Sequence, residues 1–155
     1  MTEDEQLLAR ALAIATRAHH AQTDKAGAPY LGHPVRVSAA VEELDAKVVG
    51  LLHDVVEDSE ITLDDLAREG FSAAIVAAVD AISRRPDEPR EDYEARVFAN
   101  RLATLVKIAD VTDNLDPRRI RAPTPRDEAR RRRYEALLPR LRAALAHFSN
   151  EIHHP

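Results

Sequence analysis

Hydrophobic residues recur every three to four positions along most of this chain, which is the spacing that predicts α-helices. The predicted helices cover residues 3–21, 34–44, 46–57, a short segment that starts after Thr62, and residues 71–83, 91–113 and 126–148. No segment alternates between apolar and polar residues as a half-buried strand would. The pattern therefore predicts an all-α bundle of about seven helices, with one domain over residues 1–155.

Glycine and proline divide the chain at two informative places. Two glycines and two prolines mark a loop in "TDKAGAPYLGHP", residues 23–34. Pro34 suits the first turn of the next helix, where no backbone N–H is needed, and His33 is then expected at its cap. Pro139 falls inside the last predicted helix and predicts a kink or a break there.

Composition narrows the class of protein. The chain has 155 residues, 45% of them hydrophobic, which is enough for one packed core. Charged residues make up 32%, and no apolar run is long enough to span a bilayer. With 0 cysteines, disulfides and thiolate metal sites are excluded. The N-terminal "MTEDEQLLAR" lacks the apolar core of a signal peptide, so a cytoplasmic protein is expected.

The net charge of −5 argues against a general nucleic-acid binder. Basic residues nevertheless cluster at Arg84–Arg85, Arg118–Arg119 and Arg130–Arg133. We expect solvated surfaces at these three clusters, with phosphate contacts as the alternative. Surface positions are likewise expected for His19, His20 and Asp113, and a frayed tail for the histidines at 147, 153 and 154.

The stretch "GLLHDVVEDS", residues 50–59, places four ionisable side chains among apolar ones. On a helix, His53 lies one turn before Glu57, and Asp54 lies one turn before Asp58, so that each pair shares a face. Three acids this close repel one another unless a cation lies among them. Imidazole and carboxylate groups are common ligands of divalent transition metals, so the stretch predicts part of a metal site.

Two further residues complete a ligand set. His33 follows the loop rich in glycine and proline, and Asp110 lies in "LVKIADVTDN", again an acid among apolar residues. A histidine, a His-Asp pair and a distant aspartate give four ligands from three helices. This order is typical of HD-domain metal-dependent phosphohydrolases, and the chain resembles that superfamily.

The resemblance is closer to one branch of it. The segments "HHAQTDKAGAPYLGHPVRVSAAV", "VVGLLHDVVEDSEIT" and "RLATLVKIADVTDNL" resemble the hydrolase domain of the RelA/SpoT family, especially its small stand-alone members. Those enzymes remove the 3′-pyrophosphate from the alarmone ppGpp and use manganese. The resemblance covers residues 5 to about 116 and implies an HD-type helical bundle, to which the last predicted helix is added.

The resemblance also implies roles for individual residues. One divalent metal ion, expected to be Mn²⁺, would be bound by His33, His53, Asp54 and Asp110. The acidic pair that handles water and protons would be Glu57 and Asp58. The substrate pocket would be lined by Lys25, Tyr30, Lys107 and Asn114.

The expected function is metal-dependent hydrolysis of a nucleotide, most closely that of a ppGpp 3′-pyrophosphohydrolase. A metal ion lowers the pKa of bound water and so creates a nucleophile near neutral pH. Glu57 or Asp58 would orient that water or take its proton. The expected partner is a small nucleotide, with no nucleic acid and no membrane, and a homo-oligomer is left open.

Three positions depart from the family pattern, since Asp24, Val111 and Asp116 stand where basic residues are expected. A strongly anionic substrate needs positive charge, so another nucleotide is an alternative, either a nucleoside triphosphate or a nucleotide 2′- or 3′-phosphate. A non-catalytic nucleotide sensor or interaction module is the other alternative. Replacement charge is expected from Arg36 or from the arginines at 84, 85 and 118–121. Asp24→Arg is expected to raise activity on ppGpp.

Overall fold

The computed structural model describes residues 1–120 and 122–153, and the described chain is helical throughout. Its elements are α1 (Glu3–Ala18), α2 (Gly32–Ala39), α3 (Leu44–Leu52), α4 (Val55–Asp58), α5 (Leu63–Arg68), α6 (Ala73–Ile82), α7 (Arg90–Phe98), α8 (Arg101–Asn114), a 3₁₀ turn at Pro117–Arg119, and α9 (Pro125–His153). The predicted all-α class is confirmed.

The nine α-helices in the described residues exceed the seven predicted because two predicted helices are each divided. The first division lies at His53 and Asp54, between the end of α3 and the start of α4. The second lies at Asn100, whose side chain accepts a hydrogen bond from the Ala103 N–H at 2.9 Å and so caps the start of α8. The His-Asp pair therefore lies in a turn between helices instead of on one continuous helix face.

Cap and proline predictions have mixed outcomes. Thr62 caps α5 in a reciprocal capping box with Asp65, as the sequence indicates. Pro34 lies in the first turn of α2, as predicted, but that helix starts at Gly32, so placing His33 at the cap was wrong. Helix α9 continues through Pro139, so no break occurs there.

Helix α3 lies at the centre of the bundle and packs against α1, α2, α6 and α8. Its residues from Val48 to Leu52 are all buried. A Cβ added at Gly50 would lie 3.1 Å from the backbone of Ser38, so the close approach of α2 to α3 requires glycine here. This approach brings the start of α2 towards the end of α3, which positions the site.

Helix α9 covers α8 and part of α7 with Leu137 and Leu141, which are buried. The helix is 29 residues long but rich in arginine. No helix within the described residues has both the length and the apolar character needed to cross a membrane. The predicted frayed tail is wrong at His147, which lies on α9, and His154 falls outside the described residues.

Candidate metal centre and its cavity

The four predicted metal ligands converge from three parts of the bundle. The first turn of α2 contributes His33, the turn between α3 and α4 contributes His53 and Asp54, and α8 contributes Asp110. His33 Nε2 lies 2.8 Å from Asp110 Oδ1 and 3.9 Å from Asp54 Oδ2. His53 Nε2 lies 3.1 Å from Asp54 Oδ2 and 3.4 Å from Asp110 Oδ1. Each histidine thus has a ring nitrogen within 4 Å of both aspartates.

The surroundings of one buried nitrogen, Nε2 of His53, show whether these residues fit a metal ion. The Nδ1 atom of His53 lies 2.6 Å from the carbonyl oxygen of Gly50, which can only accept, so Nδ1 carries the proton. In the neutral ring the Nε2 atom carries a lone pair, and it is buried without a hydrogen-bond partner. Burial opposes a charge on His53, but the Asp54 and Asp110 carboxylates raise its pKa in the metal-free protein, where a proton takes the place of the cation. Ligand atoms on adjacent corners of an ion, with bonds of about 2.1 Å, are roughly 3 Å apart. The donor set fits a divalent metal in both chemistry and spacing.

Lys107 and Asn114 bind the Asp110 carboxylate. Lys107 Nζ lies 2.9 Å from Asp110 Oδ2, and Asn114 Nδ2 donates to Oδ1 at 3.0 Å. Burial opposes ionisation of Asp110, but the charge of Lys107 and the contact with His33 hold the pKa of this carboxyl well below its usual range. Both residues line the cavity, where the sequence placed them, and they also keep the carboxylate of Asp110, a predicted ligand, anionic and oriented.

Tyr30, like Lys107 and Asn114, both contacts a predicted metal ligand and lines the cavity. Its hydroxyl donates a hydrogen bond to Asp54 Oδ2, and its ring lies at the cavity wall. Burial and the neighbouring Asp54 charge raise the pKa of the Tyr30 hydroxyl, which therefore stays a donor at neutral pH. Burial disfavours the ionised form of Asp54, but the charge of His53 lowers its pKa to about 2.

The two members of the acidic pair are placed differently. Glu57 lies in the cavity wall, and its Oε1 accepts a hydrogen bond from the main-chain N–H of Arg84. Asp58 does not line the cavity, and its carbonyl oxygen accepts from Gln22 Nε2 at 3.0 Å. Burial, followed by the charge of Asp54, raises the pKa of both side chains. Of the two, Glu57 is the one positioned to act on a bound molecule.

A cavity of about 450 Å³ opens beside the ligands. Its wall holds seven basic side chains, from Lys25, Arg84, Arg90, Lys107, Arg119, Arg130 and Arg133. The prediction of a solvated surface was wrong for Arg119 and Arg130, which are half-buried, whereas Arg84 and Arg133 are exposed to solvent and also line the cavity. It is confirmed for Arg131, which pairs with Glu128 and Glu135 on the outer face of α9. Residue 121 lies outside the described residues.

The arginine at 130 shows how α9 contributes to this wall. Arg130 is half-buried, lies 5.1 Å above the ring of Tyr134 and donates from Nε to the Tyr134 hydroxyl at 3.0 Å. The ring of Tyr134 also lies 6.0 Å from Lys107 Nζ. Helix α9 thus joins basic and aromatic groups to the cavity, although the family resemblance covered only residues before it.

Local contacts explain the three departures from the basic pattern. Asp24 Oδ1 accepts from the N–H groups of Ala26 and Ala28 at 2.9 and 3.0 Å, and Asp24 Oδ2 lies 4.0 Å from Arg119 Nε. Arg119 therefore supplies positive charge beside the acid. Val111 is buried in the core, and Asp116 pairs with Arg118 outside the cavity wall. Lys25 lines the cavity, as predicted, and is ion-paired with Asp127.

Two residues beside the site were predicted to lie at the surface and do not. His19 is buried, with its ring 5.0 Å from that of Tyr30. Asp113 Oδ2 lies 2.6 Å from His33 Nδ1, and Arg36 donates to both carboxylate oxygens at 2.8 and 3.2 Å. Burial opposes ionisation of Asp113, but these contacts lower its pKa. The signal available in the sequence was that Asp113 lies one helical turn after Asp110.

Comparison with known families agrees with this geometry. The sequence profile of the HD domain matches residues 11–147, which is most of the chain. The chain belongs to the HD domain family. Members of this family bind a divalent metal, and the His33, His53 and Asp54 donors lie within 4.8 Å of one another.

Two curated relatives carry the same name, guanosine-3′,5′-bis(diphosphate) 3′-pyrophosphohydrolase. The protein of Vibrio cholerae is 32% identical over 163 residues, which cover 95% of this chain and 22% of the relative. That of Haemophilus influenzae is 30% identical over 155 residues, covering 90% of this chain and 23% of the relative. This chain therefore spans less than a quarter of the length of these relatives.

A solved structure has the same fold. It is that of a metazoan ortholog of SpoT that hydrolyses ppGpp, with a TM-score of 0.70 at 24% sequence identity. The match covers 90% of this chain and 85% of that one, so the two share the helical bundle over almost all of both chains. The predicted HD-type bundle is confirmed.

Proposed function

We propose that this chain is a divalent-metal-dependent phosphohydrolase that removes the 3′-pyrophosphate of ppGpp. The observation that carries the proposal is the buried, unpartnered Nε2 of His53, which faces Asp54 and Asp110 at the edge of a basic cavity. Relatives that align with nearly the whole chain are hydrolases of this nucleotide. Retention of all four ligand positions argues against a non-catalytic sensor.

The metal would be held by His33, His53, Asp54 and Asp110, and we infer Mn²⁺ from the family resemblance. When bound, the ion supplies Lewis acidity towards phosphoryl oxygens and lowers the pKa of water. Lys107, paired with Asp110, balances charge at the ligand carboxylate. Tyr30, bonded to Asp54, fixes the orientation of the second carboxylate.

Glu57 is proposed as the general base. Its carboxylate is held by the Arg84 amide and faces the cavity, where it takes a proton from the attacking water. A bond forms between the water oxygen and the 3′ phosphorus, and the bond from phosphorus to the 3′ oxygen breaks. The protonated Glu57 returns its proton to the 3′ oxygen, so that the products are GDP and pyrophosphate. The raised pKa of Glu57 suits both steps.

The basic wall would bind the phosphates of the substrate. Within the described residues, the side chains of Arg84, Arg90 and Arg133 form no ion pair, although each lines the cavity. Guanidinium groups bind phosphate oxygens with two parallel hydrogen bonds. A substrate with two diphosphate groups would use this charge more fully than a nucleoside monophosphate would. We place the activity in the cytoplasm, with a small nucleotide as the partner.

The decisive experiment is hydrolysis by the purified, Mn²⁺-loaded chain of ppGpp, GTP and a nucleoside 3′-phosphate, followed by ³¹P NMR. Release of pyrophosphate from ppGpp, lost in His53→Ala, is the expected result. Turnover of another nucleotide without ppGpp hydrolysis would assign a different substrate to the same centre. Stoichiometric metal and nucleotide binding without any turnover would identify a sensor and overturn the enzymatic proposal.

A further inference from the structure

The side of His33 away from the predicted metal ligands contacts a half-buried acid. His33 is 2% exposed, and its Nδ1 atom lies 2.6 Å from Oδ2 of Asp113. Asp113 stands on α8 one turn after Asp110, so the same helix contacts both nitrogens of the His33 ring. The ring is therefore held between two carboxylates from one helix.

Asp113 is itself held by two guanidinium groups. Arg36 donates from Nε to Oδ1 at 2.8 Å and from Nη2 to Oδ2 at 3.2 Å, and Arg119 Nη1 lies 3.3 Å from Oδ2. An ionised carboxylate has no hydrogen to donate, so its contact with an imidazole nitrogen requires that nitrogen to carry the proton. Asp113 offers such an acceptor to Nδ1, as Asp110 Oδ1 does to Nε2 at 2.8 Å, and Arg119 Nη1 also lies 3.2 Å from Nδ1. A metal ion that takes the lone pair of Nε2 leaves the proton of the neutral ring on Nδ1, where Asp113 accepts it.

In this tautomer the opposite nitrogen, Nε2, carries no proton and can bind a metal ion. In the neutral ring, Nε2 carries a lone pair and lies 2.8 Å from Asp110 Oδ1. Two lone-pair atoms at this distance repel unless a cation lies between them. A carboxylate behind a metal-bound histidine fixes the ring and raises the basicity of the coordinating nitrogen.

The two histidines of the site are oriented by different groups. His53 Nδ1 donates to the carbonyl of Gly50, a neutral acceptor in its own helix, whereas His33 uses a charged side chain from another helix. A charged acceptor polarises the imidazole more strongly than a neutral one. His33 is therefore the ligand whose strength depends on a residue that can be changed without moving the local backbone.

We propose that Asp113, clamped by Arg36 and Arg119, is a positioning residue that fixes the tautomer and orientation of His33 for metal binding. The inference rests on the proposed metal centre. It extends that centre beyond its four ligands, and it gives Arg36 a structural reason to face α8.

The test compares Mn²⁺ affinity, measured by titration calorimetry, in Asp113→Asn, Asp113→Ala and the wild type. Asp64→Asn is the matched control because it also removes one negative charge, from an exposed position in the first turn of α5. We expect affinity to fall about 10- to 100-fold in Asp113→Ala and less in Asp113→Asn, since the amide oxygen can still accept the Nδ1 proton. The control should keep wild-type affinity.

A second readout follows the proton itself. Long-range ¹H–¹⁵N spectra of the metal-free protein should show a larger fraction of His33 protonated at Nδ1 in the wild type than in Asp113→Ala, where Asp110, facing Nε2, is the remaining carboxylate acceptor. Folded variants with wild-type Mn²⁺ affinity and an unchanged tautomer would overturn the inference while leaving the metal centre intact. A wild type that binds no metal would instead refute the proposed function, and the spectra would still decide whether Asp113 holds the tautomer. Asp113→Asn, which preserves shape, keeps the test valid if the alanine variant fails to fold.

Discussion

The main-chain N–H of Arg84 donates a hydrogen bond to Oε1 of Glu57 across the mouth of the cavity. This contact joins the second residue after the end of α6 to the short helix α4, although the two are far apart in sequence. It holds one oxygen of Glu57 and leaves the other free to face a bound molecule. Only proline at position 84 would remove this backbone donor, and it would also restrict the backbone, so the role of Glu57 is best tested at Glu57 itself.

Glu57→Gln is expected to keep metal affinity and to lose turnover of ppGpp by about 100- to 10,000-fold, which is the range for removal of a general base. The amide keeps the shape of the side chain but cannot accept the proton of water. Metal affinity by calorimetry and the rate of pyrophosphate release are the two measurements. Glu60→Gln, at an exposed position just after α4, is the control. Unchanged turnover in Glu57→Gln would remove the proposed base.

The pH dependence of the hydrolysis rate should include the ionisation of Glu57. Burial raises the pKa of this carboxyl in the metal-free protein, and a bound cation lowers it again. The rate should fall as pH decreases through the pKa of Glu57 in the metal-loaded protein, and this limb should disappear in Glu57→Gln. A limb that persists in the variant would belong to another group.

The raised pKa of Glu57 also affects stability. The free energy of unfolding should fall as pH rises, whereas the hydrolysis rate should increase. A carboxyl whose folded pKa is raised favours the protonated state, so ionisation of Glu57 lowers the free energy of unfolding as pH rises. Glu57→Gln should therefore raise the melting temperature of the metal-free protein at neutral pH while abolishing turnover. A lower melting temperature would show that the carboxylate contributes more to folding than its desolvation costs.

Asp24→Arg is now expected to lower activity on ppGpp, in contrast to the gain predicted from sequence. The substitution would remove the acceptor of the Ala26 and Ala28 N–H groups and would place a second cation beside Arg119. Asp24→Asn keeps an oxygen that can accept both hydrogen bonds and is the control. Hydrolysis rates and melting temperatures of the two variants separate the effect of the lost negative charge from the effect of losing the two hydrogen bonds that hold the loop. A rate above wild type in Asp24→Arg would instead support the sequence-based explanation, in which missing positive charge at position 24 limits activity on ppGpp.

Gly50→Ala should destabilise the fold and weaken metal binding together. The added Cβ would lie 3.1 Å from the Cα and N atoms of Ser38, so α2 and α3 must separate, at a cost of about 1–3 kcal/mol. The His33 helix would then move away from His53. Gly32→Ala is a control for melting temperature only, because its Cβ would meet the end of the flexible Arg36 side chain, which holds Asp113. Equal melting temperatures for the two variants would contradict this account.

Much of the centre could be predicted because ligand chemistry is local. The four ligands are acids and histidines set among apolar residues, and that conflict with burial is visible in the sequence at His53, Asp54 and Asp110. Contacts between distant segments left no such signal. Asp113 looked like a surface acid because Arg36 and Arg119, its partners, come from other elements.

Helix ends were harder to predict than helix faces. The apolar spacing over residues 91–113 continues across Asn100, so a cap inside an unbroken pattern was overlooked. The role of α9 was missed for a related reason. Its arginines at 130 and 133 differ from Arg131 only in the direction they face, which depends on how the helix packs against α8.

The order of the elements along the chain has a consequence for synthesis. All four proposed ligands lie between residues 33 and 110, whereas Arg130, Arg133 and Tyr134 of the cavity wall belong to the last helix. A ribosome therefore produces the whole ligand set before it produces the side chains that close over it. The proposed ligand set and the part of the cavity wall that α9 supplies are thus encoded in separate, consecutive parts of the chain.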